Sequence, residues 1–186
     1  GADGLRFGLM RIAPVGSDLR FDESSVEEGR NFANKIYNAC RFRQMAGTEP
    51  RVLTTAPAEL PPYHIDIMAK VDELAVNLKA AYAGYRFGEI AHLLYEFLWN
   101  EFCDKFLEAV KGDLRESATP EARAVTLSVF DTVMSRFLQL LHPYMPHVTE
   151  ELSLRMGYLE EGEFLMLEPL PDKPVLAGLA AEEIAA

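Results

Sequence analysis

Cysteine is scarce: Cys40 and Cys103 are the only two in 186 residues, too few for a disulfide framework. Each lies in a helical stretch among apolar neighbours, which reads as a buried free thiol in a reducing, cytoplasmic setting. Neither has a Cys or His partner at ligand spacing, and His64, His92, His142 and His147 are scattered, so no metal site is expected. No apolar run approaches the roughly 20 residues that span a bilayer, and no basic-then-apolar leader is seen, so no membrane partner is expected. Catalytic patterns are missing as well. There is no glycine-rich phosphate loop and no Ser-His-Asp or Cys-His spacing, so no catalytic residue and no bound cofactor is assigned. Cations are outnumbered, 18 Lys and Arg against 29 Asp and Glu, a net charge of -11. That balance argues against a general nucleic-acid binder, which carries a basic field.

What is present is an ordinary globular composition, 49% hydrophobic and 25% charged, enough for one core. The acidity is not evenly spread. Residues 1 to 51 hold eight Lys or Arg against seven Asp or Glu, and the remainder holds ten against twenty-two. An anionic partner would therefore meet the N-terminal third. Adjacent carboxylates such as Glu27 with Glu28 and Glu150 with Glu151 read as solvated helix charges, the usual fate of such runs.

The stretch Arg30 to Arg43 contains no acid. At a period of 3.6 it places Ala33, Ile36 and Cys40 on one face, extended backwards by Val26 and Gly29. Asn31, Asn34, Lys35, Asn38 and Arg41 fall on another side with Arg30 at their flank. Amides can meet base edges while cations meet phosphates, so one reading is a nucleic-acid-facing helix. The other is a plain solvated face.

Helix signals punctuate the whole chain. Asp3 is a candidate cap for a short helix that Pro14 and Gly16 would end, and Asp18 to Asp22 reads as a brief extended connector. Ser24 or Ser25 is a candidate cap for the Asn-bearing helix, which should run to about Met45. Gly47 to Pro62, with Pro50, Pro57, Pro61 and Pro62, is a surface loop. Ile67, Val71, Leu74 and Leu78 mark a helix over 62–83 that Gly84 breaks. Phe87, Ile90, Ala91, Leu94, Leu98, Phe102 and Phe106 mark a far more apolar one, expected in the middle of a bundle and closed by Gly112. Its aromatics read as core, with Trp99 kept as a candidate for base stacking. Thr119-Pro120-Glu121 starts a further helix, and Pro143 and Pro146 lead into a short one over His147 to Met156. Glu163 to Glu168 reads as a short extended segment before a weakly helical tail. The expected fold is all-α, an up-and-down helical bundle with a connector over 1–22, the bundle over 23–156, and an irregular C-terminal junction and tail over 157–186.

Several stretches in order carry a family resemblance: Gly1-Ala-Asp-Gly-Leu-Arg-Phe7, Ser17-Asp-Leu-Arg-Phe-Asp22, Arg30-Asn-Phe-Ala-Asn-Lys-Ile-Tyr-Asn-Ala39, Tyr85-Arg-Phe-Gly-Glu89, Tyr95-Glu-Phe-Leu-Trp-Asn-Glu-Phe-Cys-Asp104, Leu140-Leu-His-Pro-Tyr-Met-Pro-His-Val-Thr-Glu-Glu-Leu152 and Phe164-Leu-Met-Leu-Glu-Pro-Leu-Pro171. Together they resemble the C-terminal half of class I aminoacyl-tRNA synthetases. The Trp-Asn-Glu-Phe-Cys-Asp stretch looks like the valyl branch. The resemblance implies a helical anticodon-binding domain that grips the anticodon stem and loop of a valine-accepting tRNA, with Arg30, Asn31, Asn34, Lys35, Asn38 and Arg41 as its tRNA-binding residues. It also implies that the catalytic domain of the same polypeptide, with its ATP and magnesium, lies outside this chain, and that the fragment by itself does not aminoacylate. The opening Gly-Ala-Asp, without an initiator Met, reads as a cut from something longer, and a monomer is expected. The alternative from a different class is a helical protein-interaction module, or a synthetase paralogue without tRNA binding.

Overall fold

Helices supply nearly all of the regular structure in the computed structural model, which describes residues 1–13, 18, 21, 23–47, 53, 59–115, 118–171 and 174–176, with no strand among them. They are α1 (Ala2–Ile12), α2 (Glu23–Gln44), α3 (Pro62–Ala83), α4 (Phe87–Glu96), a π-helical segment (Phe97–Phe106) running into α5 (Leu107–Ala109), α6 (Pro120–Leu141) and α7 (Pro146–Arg155), followed by a 3-10 turn at Leu165–Leu167. The fold is the all-α bundle that the periodicity predicts.

The clearest boundaries come from local chemistry. Pro62 sits in the first turn of α3, where its missing N–H costs nothing, and Gly84 ends that helix. Thr119 caps α6, its hydroxyl accepting from the Ala122 amide at 3.2 Å, with Pro120 next in line. Both were legible as start signals. α6 takes the central place, packing against α3 and α7 and burying residues on every side, from Thr126 and Val129 to Phe137 and Leu141. By length and composition α6 could cross a membrane, but 67% of its apolar window is buried inside the bundle, which marks a core helix.

The second apolar helix departs from the expected α geometry. Ile90, Leu94, Leu98, Phe102, Phe106 and Val110 repeat every four residues, and none is more than 3% exposed. In an α-helix each four-residue step overshoots a full turn by about 40°, so five steps would carry the stripe to the opposite face. The wider π turns over Phe97–Phe106 take up that overshoot and keep the stripe on the core.

Several expectations are corrected. Asp3 does not cap its own helix: it lies inside the first turn of α1, and its carboxylate accepts from the Val148 amide of α7 at 2.7 Å. Ser24 and Ser25 are not caps, because α2 already begins at Glu23. Ser25 is buried where α1 crosses. Glu150 is not simply solvated, since it accepts from the Leu165 amide at 3.0 Å. The stretch Glu163 to Glu168 turns through a 3-10 helix instead of extending. Phe87 is 40% exposed, at the edge of the core. The stop at Pro14 and Gly16, most of the connector at 18–22, much of the 47–62 loop and the tail beyond 176 lie outside the described residues.

Helix α1, read as part of a connector, packs against α2, α4 and α7. The crossing with α2 brings backbone against backbone. A Cβ on Gly29 would stand 2.1 Å from the Gly4 carbonyl oxygen, and one on Gly8 would stand 2.2 Å from that of Ser25. Only glycine permits that approach. Beside it Phe7 stacks on Phe32 with ring centroids 4.5 Å apart.

Candidate nucleic-acid interface

Helix α2 is anchored from behind. Its buried stripe is Ser25, Gly29, Phe32, Ile36, Ala39, Cys40 and Arg43. That is close to the face read from the sequence but rotated toward Phe32, with Val26 and Ala33 only half-buried. The surprise is Arg43. Its guanidinium donates to both carboxylate oxygens of Asp131 on α6, at 2.9 and 2.6 Å, and the Tyr158 hydroxyl donates to the same carboxylate at 2.8 Å. With side chains only 2% and 4% exposed, Arg43 and Asp131 form a buried bidentate pair. Cys40 lies nearby, and burial together with the Asp131 charge pushes its thiol up to about 12; burial similarly holds Cys103 at about 11. Both are inert core thiols.

The outward face holds the candidate residues. Arg30, Asn31, Asn34, Asn38 and Arg41 are all exposed, and Lys35 is half-buried. Their charges are not equally available. Arg30 donates to Glu27 one turn back at 2.8 Å. Lys35 stands 3.6 Å from Asp104 and lies over the Trp99 ring, 4.5 Å from its centroid. Arg41, in the last turn, has no ion-pair partner among the described residues. Asn34, Asn38 and Arg41 thus share an open strip, while Lys35 leans off it toward the π-helical segment.

Trp99 is half-buried rather than presented. It ends a column in which Phe7, Phe32, Tyr95 and Trp99 stack in turn, with centroids 4.5, 5.3 and 5.3 Å apart. Arg11 lies over the Tyr95 ring at 3.8 Å, as Lys35 lies over Trp99. The column holds α1, α2 and α4 together. Sequence reading passed over three side chains that do reach solvent here: Tyr37 and Phe42 on α2 and Met45 just past its end, at 44%, 40% and 76% exposure. Their signal was available, because Asn34, Tyr37, Asn38 and Arg41 follow the i, i+3, i+4, i+7 spacing of a single face. A merely solvated face gains nothing from aromatic and thioether surface, whereas a base-binding face does.

A family model described as the anticodon-binding domain of tRNA ligase matches residues 65–186. The chain belongs to that family. Among curated proteins it is similar to the valine-tRNA ligase of Porphyromonas gingivalis, 38% identical over 92% of this chain and 19% of the relative. It is also similar to the valine-tRNA ligase of Rhizorhabdus wittichii, 36% identical over 99% of this chain and 20% of the relative, and to that of Nitratidesulfovibrio vulgaris, 41% identical over 82% and 17%. The chain therefore spans about a fifth of the length of the curated relatives it matches. Among solved structures, a LeuRS-tRNA-LeuAMS ternary complex from Agrobacterium radiobacter K84 superimposes with a TM-score of 0.66 at 17% identity, over 92% of this chain and 20% of that one, a likeness of fold. The family match begins at α3, so α2 and its exposed face precede the matched region.

Proposed function

We propose that this chain recognises the anticodon stem and loop of a valine-accepting tRNA, as the anticodon-binding part of a valine-tRNA ligase. The observation that carries the reading is the outer face of α2, where Asn34, Tyr37, Asn38 and Arg41 stand together, exposed, on a helix pinned from behind by Arg43 and Asp131. Amides supply donors and acceptors for base edges, and the one cation of the four meets phosphate. The valine-tRNA ligase relatives, aligned along nearly the whole chain, support the amino acid assigned.

In that reading adenylation and transfer of valine, with ATP and magnesium, belong to a catalytic domain of the longer polypeptide, working in the cytoplasm. Among the described residues no three His, Cys, Asp or Glu side chains are grouped so as to hold a metal ion. The bundle positions the tRNA and acts as a monomer.

The test is binding of the chain to valine tRNA across a salt series. Arg41→Ala should weaken binding about tenfold and shallow the log–log salt slope by about one, the signature of one lost phosphate contact. Lys35→Ala should weaken it less, because Lys35 is already held by Asp104 and Trp99. Unchanged binding and slope in Arg41→Ala would refute the assigned face.

A further inference from the structure

We propose that Tyr37 is the side chain on which an unpaired nucleobase of the bound tRNA stacks, an inference that rests on the tRNA reading above. The surrounding aromatics are already engaged: Phe32 with Phe7 and Tyr95, and Trp99 with Tyr95 and Lys35. Tyr37 has no ring partner and no side-chain hydrogen bond among the described residues, and 44% of it faces solvent.

Its place on the helix suits a base. A helical side chain tends to lean back over the preceding turn, which before Tyr37 carries Ala33 and Asn34. Ala33 is too small to cover the ring. Asn34 and Asn38 flank it with amides that can meet the polar edge of a stacked base, and Arg41, one turn on, can meet the adjoining phosphate. Phe42, farther along the helix, and Met45, just past its end, add exposed apolar surface. An unpaired base with its phosphate needs these three chemistries side by side: a π face, an amide and a cation. Trp99, the aromatic that first suggests stacking, would have to release Lys35 or Tyr95 to do so.

The experiment uses the 186-residue chain and valine tRNAs in which each anticodon-loop base in turn is replaced by 2-aminopurine, whose fluorescence falls on stacking. The wild-type chain should quench the probe at one loop position. Tyr37→Phe should keep that quench and the affinity, since stacking needs the ring and not the hydroxyl. Tyr37→Leu should lose the quench and bind roughly 5- to 150-fold more weakly, the range for one lost stack. Because the residue is exposed, the thermal midpoint of Tyr37→Leu should match that of wild type. Absence of a quench at every loop position in the wild-type complex would overturn the proposal without reference to any variant. Unchanged affinity and quench in Tyr37→Leu, alongside weakened binding in Arg41→Ala, would overturn stacking at Tyr37 and leave the tRNA reading intact. No tRNA binding by the wild-type chain would overturn both, and would leave Tyr37, Phe42 and Met45 as a protein-docking strip.

Discussion

Replacing Arg43 with Met should damage the molecule far beyond what a surface arginine would. The substitution keeps most of the stem's volume and removes the guanidinium, so the Asp131 carboxylate, 4% exposed, is left with the Tyr158 hydroxyl alone of the three contacts described above. Breaking a buried ion pair by removing one partner costs about 3–5 kcal/mol. With a urea dependence of about 2 kcal/mol per molar for a chain of this size, the denaturation midpoint should fall by about 1.5–2.5 M. Changing both partners, Arg43→Met with Asp131→Leu, should recover most of that loss, because an apolar pair removes the desolvation cost. Some deficit should persist, about 1–3 kcal/mol, from the Tyr158 hydroxyl that has lost its acceptor, and adding Tyr158→Phe should remove it. The assay is equilibrium urea denaturation of the four proteins, followed by helical circular dichroism. A midpoint for Arg43→Met within 0.5 M of wild type would refute the reasoning, as would a double variant less stable than Arg43→Met alone.

Three further outcomes follow from the same contacts. Gly29→Ala forces a methyl to within 2.1 Å of the Gly4 carbonyl oxygen; it should cost about 3 kcal/mol and speed amide hydrogen exchange in α1 before the rest of the bundle. Asp3→Ala removes the acceptor for the Val148 amide and should cost about 1–2 kcal/mol in thermal unfolding, the worth of a helix cap, although the two residues are 145 apart. Stability should also decline in mild acid. Burial lowers the pKa of His64, with Asp113 partly opposing, and burial lowers that of His142, with Glu150 and Asp3 opposing. The unfolded chain therefore takes up protons first, so the contribution is complete above about pH 6.5 and is lost as pH falls through the two folded values. The urea midpoint at pH 5.5 should lie below that at pH 7.5, and His64→Gln should narrow the gap; equal midpoints would contradict it.

The His64 environment explains the direction. Thr126 donates to Asp113 at 2.9 Å, which leaves its oxygen to accept from the His64 Nε2 hydrogen at 3.0 Å, while Nδ1 has no hydrogen-bond partner among the described residues. The tautomer is inferred from that network. A neutral ring makes the Thr126 bond, and a second proton, on Nδ1, would have no acceptor among the described residues.

What the sequence disclosed was local, and what it hid was distant. The limits of α3 could be read because Pro62 and Gly84 act within a turn of themselves, and the start of α6 because Thr119 reaches only three residues ahead. The exposure of Asn34, Asn38 and Arg41 followed from period alone. Arg43 was indistinguishable from its neighbours Arg30 and Arg41 until the fold brought in Asp131, 88 residues on. Asp3 carries the chemistry of a cap, but the helix it caps lies at the other end of the chain. Trp99 was singled out by type, and only packing shows that Tyr95 and Lys35 already lie against it. The π-helical segment could have been found: an apolar residue every four positions over Ile90 to Val110 is a period that no straight α-helix keeps on one face.

The central claim, that this chain reads an anticodon, is tested most directly by titrating it at low salt against valine tRNA and against the same tRNA with its anticodon replaced. Binding to the native anticodon should be tighter by about tenfold or more, with the preference lost when Tyr37 and Asn38 are both changed to Ala. Equal affinity for the two tRNAs, or none for either, would contradict it.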